Sequence, residues 1–380
     1  MITRQEFPYL QELVINDAYA VKNLRVPVFE SGQEFKHLVL TGRNGSGKTT
    51  VLQEIRSVLQ DGSNVGKIYQ TSSINYKIEV LFSASPVNLI YERKSSMTLF
   101  FEAHRKILIK DVNSITREDT FETQLLQSPS ELFKQYLVNK KVFQVFDTME
   151  GKEEGARQQE QFFTKLEEAL AKIFEDSALK LEFVRENFEF FISLSNGQRF
   201  TFNQLSAGFS AFLSILTELL MRIDLLRKQA NDYTYDPCGF VLIDEPETHL
   251  HLEMQYQILP LLTNLFPNLQ FIVATHSPAV ASSIKNATIF DLSTGKALGD
   301  QAAGSSFSEL MQTHFGLENE YSNVADKILE EVAEIGQMQD RAAALARMQK
   351  LLEEQGRYMS PVLRLDVQAH LLHLQREQAA

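Results

Sequence analysis

The chain has 380 residues and a formal net charge of −12 at pH 7, with 44% hydrophobic and 23% charged residues. This balance predicts a soluble globular protein of two or three packed units and excludes collagen-like or wholly disordered chains. No apolar run approaches the ~20 residues that a membrane-spanning helix needs, and residues 1–13 lack the apolar segment of a secretory signal. The single cysteine, Cys238, can form neither an internal disulfide nor a paired-cysteine metal site, so we expect a reducing, cytoplasmic compartment.

The first part of the chain predicts strands on either side of a glycine-rich turn. Runs at 10–15, 21–29 and 37–40 are typical of strands, and Pro27 favours a sheet edge for the second of them. Apolar residues between 49 and 59 recur at helical spacing. Three further strand-like runs follow at 74–82, 87–91 and 97–101.

A helical pattern begins near residue 112. Ser128–Glu131 is typical of a helix start, and the apolar side chains between Phe162 and Phe174 lie on one helical face. The polar stretch 151–155 predicts a break between the two helices. A hairpin is predicted next, because Asn196-Gly197 between two β-like runs favours a type I′ turn.

The second half of the chain predicts a helix, two buried strands and a helical tail. Residues 211–226 form a long apolar helix, and 239–243 and 270–274 are continuous apolar runs typical of strands covered on both faces. Residues after 306 are helical in pattern, with a helix start at Ser360-Pro361. These shifts predict four parts, namely a first head lobe at 1–111, a helical insertion at 112–186, a second head lobe at 187–305 and a helical C-terminal module at 306–380.

A phosphate-binding loop is the strongest motif. Gly42–Thr49 matches GxxxxGK[ST] between a predicted strand and a predicted helix. Backbone N–H groups and the helix N-terminus suit phosphate oxygens, Lys48 would reach the β- and γ-phosphates, and the Thr49 hydroxyl would hold Mg²⁺. We therefore expect ATP and Mg²⁺ as cofactors. The expected nucleotide-binding residues are Gly42, Arg43, Asn44, Gly45, Ser46, Gly47, Lys48, Thr49 and Thr50.

Two adjacent acids end the predicted strand at 241–243. We expect Asp244 to bind Mg²⁺, directly or through water, and Glu245 to activate the attacking water as a general base. Two acids after a strand could also form a solvated turn. The phosphate-binding loop earlier in the same chain favours the catalytic interpretation.

The phosphate-binding loop and three later motifs together resemble those of ABC-type ATPases, and the four occur in that family's order. Leu205–Gly208 is similar to the family's signature motif, Asp244–His251 to its Walker B and D-loop, and Ala274–Pro278 to its switch-histidine segment. The resemblance covers roughly residues 1–110 and 187–292. It implies an α/β fold, with an ABC-type P-loop ATPase head built on a central mixed sheet, a helical insertion and a helical C-terminal appendage.

The resemblance also implies how the site works. Two heads would close on two ATP molecules, with Glu245 and His276 as the catalytic residues. Ser206, Ala207 and Gly208 of one subunit would face the γ-phosphate held by the other. The chain departs from the signature pattern at Phe209, where Gln or Glu is usual, and Gln70 and Gln124 are both candidates for the family's Q-loop glutamine.

Within this superfamily, the DEPETHLH and THSP sequences resemble the RecF, SMC and OLD-like group of DNA-repair and anti-phage ATPases. They are similar to the PtuA-like ATPases of Septu and retron-associated systems. This implies a homodimer or higher oligomer that controls a separate effector, such as a nuclease, without membrane contact and with no second catalytic site in this chain. A RecF-like DNA-repair ATPase and a transporter's nucleotide-binding subunit remain as alternatives. Binding to nucleic acid stays open, although the charge does not indicate it.

Several other residues invite more than one interpretation. The charged residues at 91–110 could contact nucleic acid, but the pattern favours a solvated surface. The segment Phe101–Arg105 resembles a recurring strand-end sequence of defence ATPases, and we assign it no role. Tyr19 could lie near the adenine, although a core or edge position is favoured. His249 and His251 could bind a metal, but we favour packing or dimer contacts for both. Surface positions are expected for His370 and His373, and a buried one for Cys238.

Overall fold

The structure, a computed structural model, describes residues 2–61, 63–65, 68–70, 77–84, 96–105, 109–112, 114–116, 129–232, 234–298, 323–338 and 340–379. The chain divides into two compact units, residues 1–310 and 311–380. The strands are β1 Leu10–Ala18, β2 Val21–Pro27, β3 His37–Thr41, β4 Ser63–Val65, β5 Ile68–Gln70, β6 Lys77–Phe82, β7 Ser96–Phe101, β8 Lys180–Val184, β9 Glu189–Ser193, β10 Arg199–Thr201, β11 Cys238–Asp244, β12 Leu269–Ala274, β13 Ala287–Asp291 and β14 Lys296–Leu298. The α-helices are α1 Lys48–Asp61, α2 Pro129–Met149, α3 Glu153–Ile173, α4 Ala207–Ala230, α5 Leu252–Leu265, α6 Pro278–Ala281, α7 Asn323–Gly336, α8 Arg341–Gln355 and α9 Pro361–Ala379.

The central sheet of the first unit has six strands in the order β14-β13-β3-β12-β11-β7. All neighbouring pairs from β13 to β7 are parallel, and β14 pairs antiparallel with β13. Strands β11 and β12 are buried along their whole length, which confirms that their continuous apolar runs are covered on both faces. Because the parallel strands end at one edge, the loops after β3, β11 and β12 meet there. The fold is the mixed α/β architecture that the motifs imply.

A second, antiparallel sheet has the order β2-β1-β6-β5-β4. Strand β2 lies at the edge of this sheet, as Pro27 predicted, because proline has no backbone N–H to donate to a second neighbouring strand. The strand ends at Pro27, two residues before the end of the predicted run. Helix α1 packs against both this sheet and the central sheet. Val51, Leu52 and Ile55 of α1 are fully buried in the shared core. This packing fixes the start of α1 against the end of β3.

Helices α2 and α3 follow β7 in the chain and pack against each other. Helix α2 also packs against α4. The predicted break is shorter than the polar stretch suggests, because α3 already begins at Glu153 and includes Gly155. The predicted strand run at 87–91 lies outside the described residues. The division of residues 1–305 into two head lobes and an insertion stays a prediction.

The hairpin at β9 and β10 is present, but its turn is not type I′. Gly197 N donates to Leu194 O at 3.0 Å, and Leu194 N donates to Gln198 O at 2.9 Å. Of these turn residues only Gly197 has a positive φ, at 84°. Asn196 instead accepts a hydrogen bond from Gln198 N through its side chain. The loop is therefore a three-residue turn that ends in a left-handed glycine, the next most common hairpin form.

The second unit is a three-helix assembly with its own core. Side chains of α7, α8 and α9 pack together at Ile328, Ile335, Met348, Leu363 and Val367. The Ser360 hydroxyl accepts a hydrogen bond from Leu363 N and so caps α9, as predicted. None of the helices among the described residues is long and apolar enough to span a membrane.

Candidate functional site

The phosphate-binding loop joins β3 to α1 at the carboxyl edge of the central sheet. Its glycines Gly42, Gly45 and Gly47 have φ values of 138°, 78° and 88°, which place the loop in left-handed backbone. A Cβ on Gly42 would lie 2.8 Å from Ser293 Oγ and 3.2 Å from Asp291 Oδ1. The loop start is therefore held tightly against the end of β13. Arg43 N also donates to Ser293 Oγ at 2.8 Å.

Lys48 lies buried under this loop. Its Nζ donates to the carbonyl oxygens of Gly42 and Arg43 at 2.9 and 3.2 Å, and to Ser46 Oγ at 3.4 Å. Burial lowers the pKa of the Lys48 amine, and the nearby carboxylates of Glu245 and Asp244 partly offset that effect. The amine therefore lies under the loop, beside the exposed residues 43–45.

Thr49 and Asp244 bring the loop helix to the end of β11. Thr49 Oγ1 donates to Asp244 Oδ2 at 2.9 Å. Burial raises the pKa of the Asp244 carboxyl, and the Thr49 hydrogen bond works against that shift. The two predicted metal-binding oxygens are therefore neighbours. A hydroxyl and a carboxylate are hard oxygen donors of the kind that Mg²⁺ uses together with substrate phosphates.

Glu245 and His276 face each other across the ends of β11 and β12. His276 Nε2 lies 3.9 Å from Glu245 Oε1. Burial lowers the pKa of the His276 imidazole, and the Lys48 cation lowers it further. The imidazole is consequently neutral near pH 7 and can exchange hydrogen bonds with a ligand or a water molecule.

Glu247 anchors the switch-histidine segment, a role that the sequence pattern did not reveal. Its Oε1 accepts from His276 N at 2.6 Å and from Ser277 N at 3.1 Å. Burial raises the pKa of this carboxyl, and the hydrogen bond from His276 N works against that shift. A carboxylate within the Walker B segment thereby ties the end of β11 to the loop after β12.

Arg105 is the second residue whose role was missed. The charge pattern of residues 91–110 predicts a solvated surface, and this prediction is wrong for Arg105. Its guanidinium is half-buried and donates to the carbonyl oxygens of Asp244 and Glu245. The signal was the strand-end sequence Phe101–Arg105, whose position beside β11 could not be read without the sheet order.

The signature-like segment begins helix α4. Ser206 is the exposed N-cap residue, and its side chain makes no capping hydrogen bond. Gly208 is buried, and a Cβ there would lie 2.4 Å from His249 O. Only glycine permits this close approach of α4 to the loop after β11. Phe209 stacks on Phe174 at the end of α3, with ring centroids 4.6 Å apart.

The remaining singled-out residues fall into place more simply. Tyr19 is 64% exposed in the turn between β1 and the edge strand β2, so of the two favoured positions, core or edge, only the core one is wrong. The same turn lies against Gly47. His249 and His251 are exposed, as are His370 and His373 on α9. Cys238 is fully buried, as predicted. The side chain of Gln70 and the whole of Gln124 lie outside the described residues.

The arrangement fits a nucleoside triphosphate with a divalent cation. The left-handed glycines open the loop, Lys48 supplies a buried cation, and Thr49 and Asp244 supply paired oxygens. With the mixed α/β fold and the signature-like start of α4, these features define the class as an ABC-type P-loop ATPase.

The family follows from sequence comparison. The family described as "AAA domain, putative AbiEii toxin, Type IV TA system" matches residues 77–282, more than half of the chain. The chain belongs to this family.

Individual relatives match over very different shares of their length. The Septu protein PtuA of Bacillus thuringiensis is 24% identical over 393 aligned residues, which cover 95% of this chain and 94% of the relative. The Retron Ec83 probable ATPase of Escherichia coli is 40% identical over 93 residues, 24% of this chain and 17% of the relative. Among solved structures, the Smc head domain from Pyrococcus furiosus, bound to the C-terminal domain of ScpA, aligns with a TM-score of 0.42 and 14% identity. That alignment covers 77% of this chain and 95% of the Smc chain.

Proposed function

We propose that the protein binds and hydrolyses ATP with Mg²⁺, dimerises on ATP and controls a partner effector in bacterial anti-phage defence. The observation that carries the catalytic part is the Thr49–Asp244 hydrogen bond beside the facing Glu245 and His276 side chains. In this proposal, a phosphate-binding loop, a metal-binding pair and a base lie together at one edge of the sheet. Such convergence is what hydrolysis of a phosphoanhydride requires.

Each residue has a distinct part in this proposal. Lys48 exchanges its hydrogen bonds to the loop carbonyls for hydrogen bonds to phosphate oxygens. The negative charge of the phosphate stabilises the buried ammonium cation. Thr49 and Asp244 hold Mg²⁺, which when bound offsets charge on the phosphates. Glu245 takes a proton from the attacking water, and the neutral His276 orients that water or the γ-phosphate.

The site is completed by a second subunit in our proposal. Ser206 is exposed, and its hydroxyl is free of a capping hydrogen bond, so it can donate outward. The start of α4 also presents its dipole to an anion. Closure of two heads would put Ser206, Ala207 and Gly208 of one subunit against the nucleotide of the other. The contact between Gly208 and His249 would carry such closure to the loop after Glu245.

The partner and the biological setting rest on similarity. The relatives that match include a Septu PtuA and a retron ATPase, and this similarity supports a defence role in the cytoplasm with a separate effector such as a nuclease. Expression with its neighbouring genes in a phage-sensitive host, scored by plaque counts against Lys48→Ala, tests this role. Equal protection by both forms would exclude an ATP-dependent defence function.

Calorimetry and phosphate release test the catalytic part. The purified protein should bind ATP and release phosphate only with Mg²⁺, and Lys48→Ala should lose nucleotide binding. Lys180→Ala, which removes an exposed lysine from β8, is the matched control and should behave as wild type. Unchanged ATP affinity in Lys48→Ala would refute the site.

A further inference from the structure

The guanidinium of Arg105 grips the backbone directly beneath the two acids. Nη1 donates to Asp244 O at 2.9 Å and Nη2 donates to Glu245 O at 2.8 Å. Nη1 also donates to Glu102 O at 2.8 Å, which fixes the fork to its own loop. These hydrogen bonds depend on the order of strands in the sheet, because β7 pairs with β11 in a register that places Phe101 beside Ile243. Arg105 thus crosses the end of β11 from the neighbouring strand.

The peptide that Arg105 holds has an unusual conformation. Glu245 has a φ of 46°, in the left-handed region that a residue with a side chain rarely adopts. Its N–H donates to Ala274 O at 2.8 Å, and its carbonyl also accepts from Thr248 N and Thr248 Oγ1. The φ angle decides the direction in which the carboxylate leaves the backbone. Holding the peptide from both sides therefore holds the carboxylate towards His276.

The chemistry of the arginine suits this task. A planar guanidinium donates along two parallel directions at once, whereas a lysine amine is a single point donor. Burial lowers the pKa of Arg105 to about 10, and Glu247 and Asp244 oppose the shift, so the side chain stays charged at neutral pH. Its Nε is buried and has no hydrogen-bond partner among the described residues. Among the described residues, the two Nη atoms donate to carbonyl oxygens and not to a carboxylate.

We propose that Arg105 is a positioning residue, which holds the Glu245 backbone so that its carboxylate can activate the attacking water. The inference rests on the proposed role of Glu245 as the base. Arg105 does not touch the reacting atoms in this proposal. It acts through the two carbonyl oxygens alone.

A double-mutant cycle with Arg105→Lys and Glu245→Gln tests the proposal in the full chain. Single-turnover hydrolysis and ATP affinity are measured for the wild type, both single variants and the double variant. Arg105→Lys should bind ATP within about threefold of wild type. Its hydrolysis should fall about 10- to 100-fold, because a small misplacement of a catalytic group has effects of that order. In the Glu245→Gln background the same change should cost less than about twofold, since the group being positioned is already gone.

The controls separate positioning from general support of the fold. Arg227→Lys is matched, because Arg227 is also part-buried and donates to a carbonyl oxygen, that of Tyr235 at 2.6 Å. It should leave hydrolysis near wild type. Arg105→Gln is the second variant, and melting temperatures are recorded for all. If both Arg105 variants fail to fold, the residue is a structural support and the proposal is overturned.

The outcomes distinguish this inference from the proposed function. Hydrolysis within about twofold of wild type in Arg105→Lys, or an equal loss in both backgrounds, overturns the role of Arg105 alone. If Glu245→Gln itself hydrolyses ATP at the wild-type rate, the base assignment fails and the positioning role fails with it. A loss confined to the background that contains Glu245 supports both.

Discussion

The Thr49 hydroxyl donates a 2.9 Å hydrogen bond to Oδ2 of Asp244, although the two residues are 195 positions apart in the chain. The bond links the first turn of α1 to the last residue of β11. Both oxygens would have to turn their lone pairs towards a bound Mg²⁺. In the proposed site, this hydrogen bond would keep the two metal-binding side chains together before the ion binds.

Asp244→Asn tests this metal-binding pair. The amide keeps the size of the side chain and an oxygen for Thr49 but removes the negative charge that attracts the ion. We expect the Mg²⁺ concentration for half-maximal hydrolysis to rise at least about 10- to 100-fold, the range typical for loss of even an outer partner of a metal site. Titration of phosphate release with Mg²⁺ measures it. Asp236→Asn is the control, and an unchanged Mg²⁺ requirement in Asp244→Asn would remove this residue from the metal site.

Mixing two inactive variants tests whether the site is shared between subunits. Lys48→Ala should lack nucleotide binding, and Ser206→Arg should block the signature face while leaving the phosphate-binding loop intact. A mixed dimer has one intact composite site, so hydrolysis should rise above that of either variant alone. The measurement is phosphate release from dimers whose mixed composition is verified by two affinity tags. Persistent inactivity of folded mixed dimers would count against independent shared sites.

The C-terminal unit is expected to bind a partner or a second subunit. Ile328 and Val332 of α7 are apolar, but both are buried in the unit's own core. Leu365 and Leu372 of α9 are different, since 65% and 56% of their surface is exposed. Removal of residues 306–380 should therefore leave ATP binding intact and abolish the higher assembly or the effector contact.

A full-length variant provides the sharper form of this test. Leu365→Glu with Leu372→Glu changes the exposed face and spares the core, so it should reproduce the loss seen on truncation. Light scattering and pull-down with the effector are the measurements. An insoluble truncated chain, or the same mass and partners in both altered forms, would contradict an interface on this unit.

The buried imidazole of His37 should make the stability of the protein depend on pH. It is 5% exposed, and its Nδ1 accepts a hydrogen bond from Phe271 N at 3.1 Å, which requires the neutral ring. Burial lowers its pKa to about 4. Between about pH 6.5 and 4 the unfolded chain binds a proton that the folded chain does not, so stability is lost as the pH falls through this window.

The difference in pKa corresponds to a loss of about 3 kcal/mol in the free energy of unfolding at most. His37→Asn keeps an acceptor near Phe271 N but does not titrate, so its urea midpoint should fall less between pH 7 and 4.5. His370→Asn, on the exposed surface of α9, should follow wild type. Parallel pH curves for His37→Asn and wild type would show that His37 does not couple stability to pH.

Local patterns predicted the elements that carry the phosphate-binding loop and the paired acids. Continuous apolar runs identified β11 and β12, because a strand covered on both faces leaves no room for polar residues. The hairpin was recognised but its turn was not, since Asn196-Gly197 fits two turn types and the side-chain bond of Asn196 decides between them. The roles of Glu247 and Arg105 depend on which strands are neighbours. Sheet order is set by long-range packing, and no local spacing encodes it.

Hydrolysis by Glu245→Gln is the most direct test of the central claim. The amide preserves shape and hydrogen bonding but cannot accept the proton of the attacking water. The variant should bind ATP as wild type does, accumulate ATP-bound dimers, and hydrolyse roughly 10²–10⁴-fold more slowly, as expected for loss of a general base. Phosphate release and light scattering on the same sample measure both effects. A hydrolysis rate within about twofold of wild type would contradict the account.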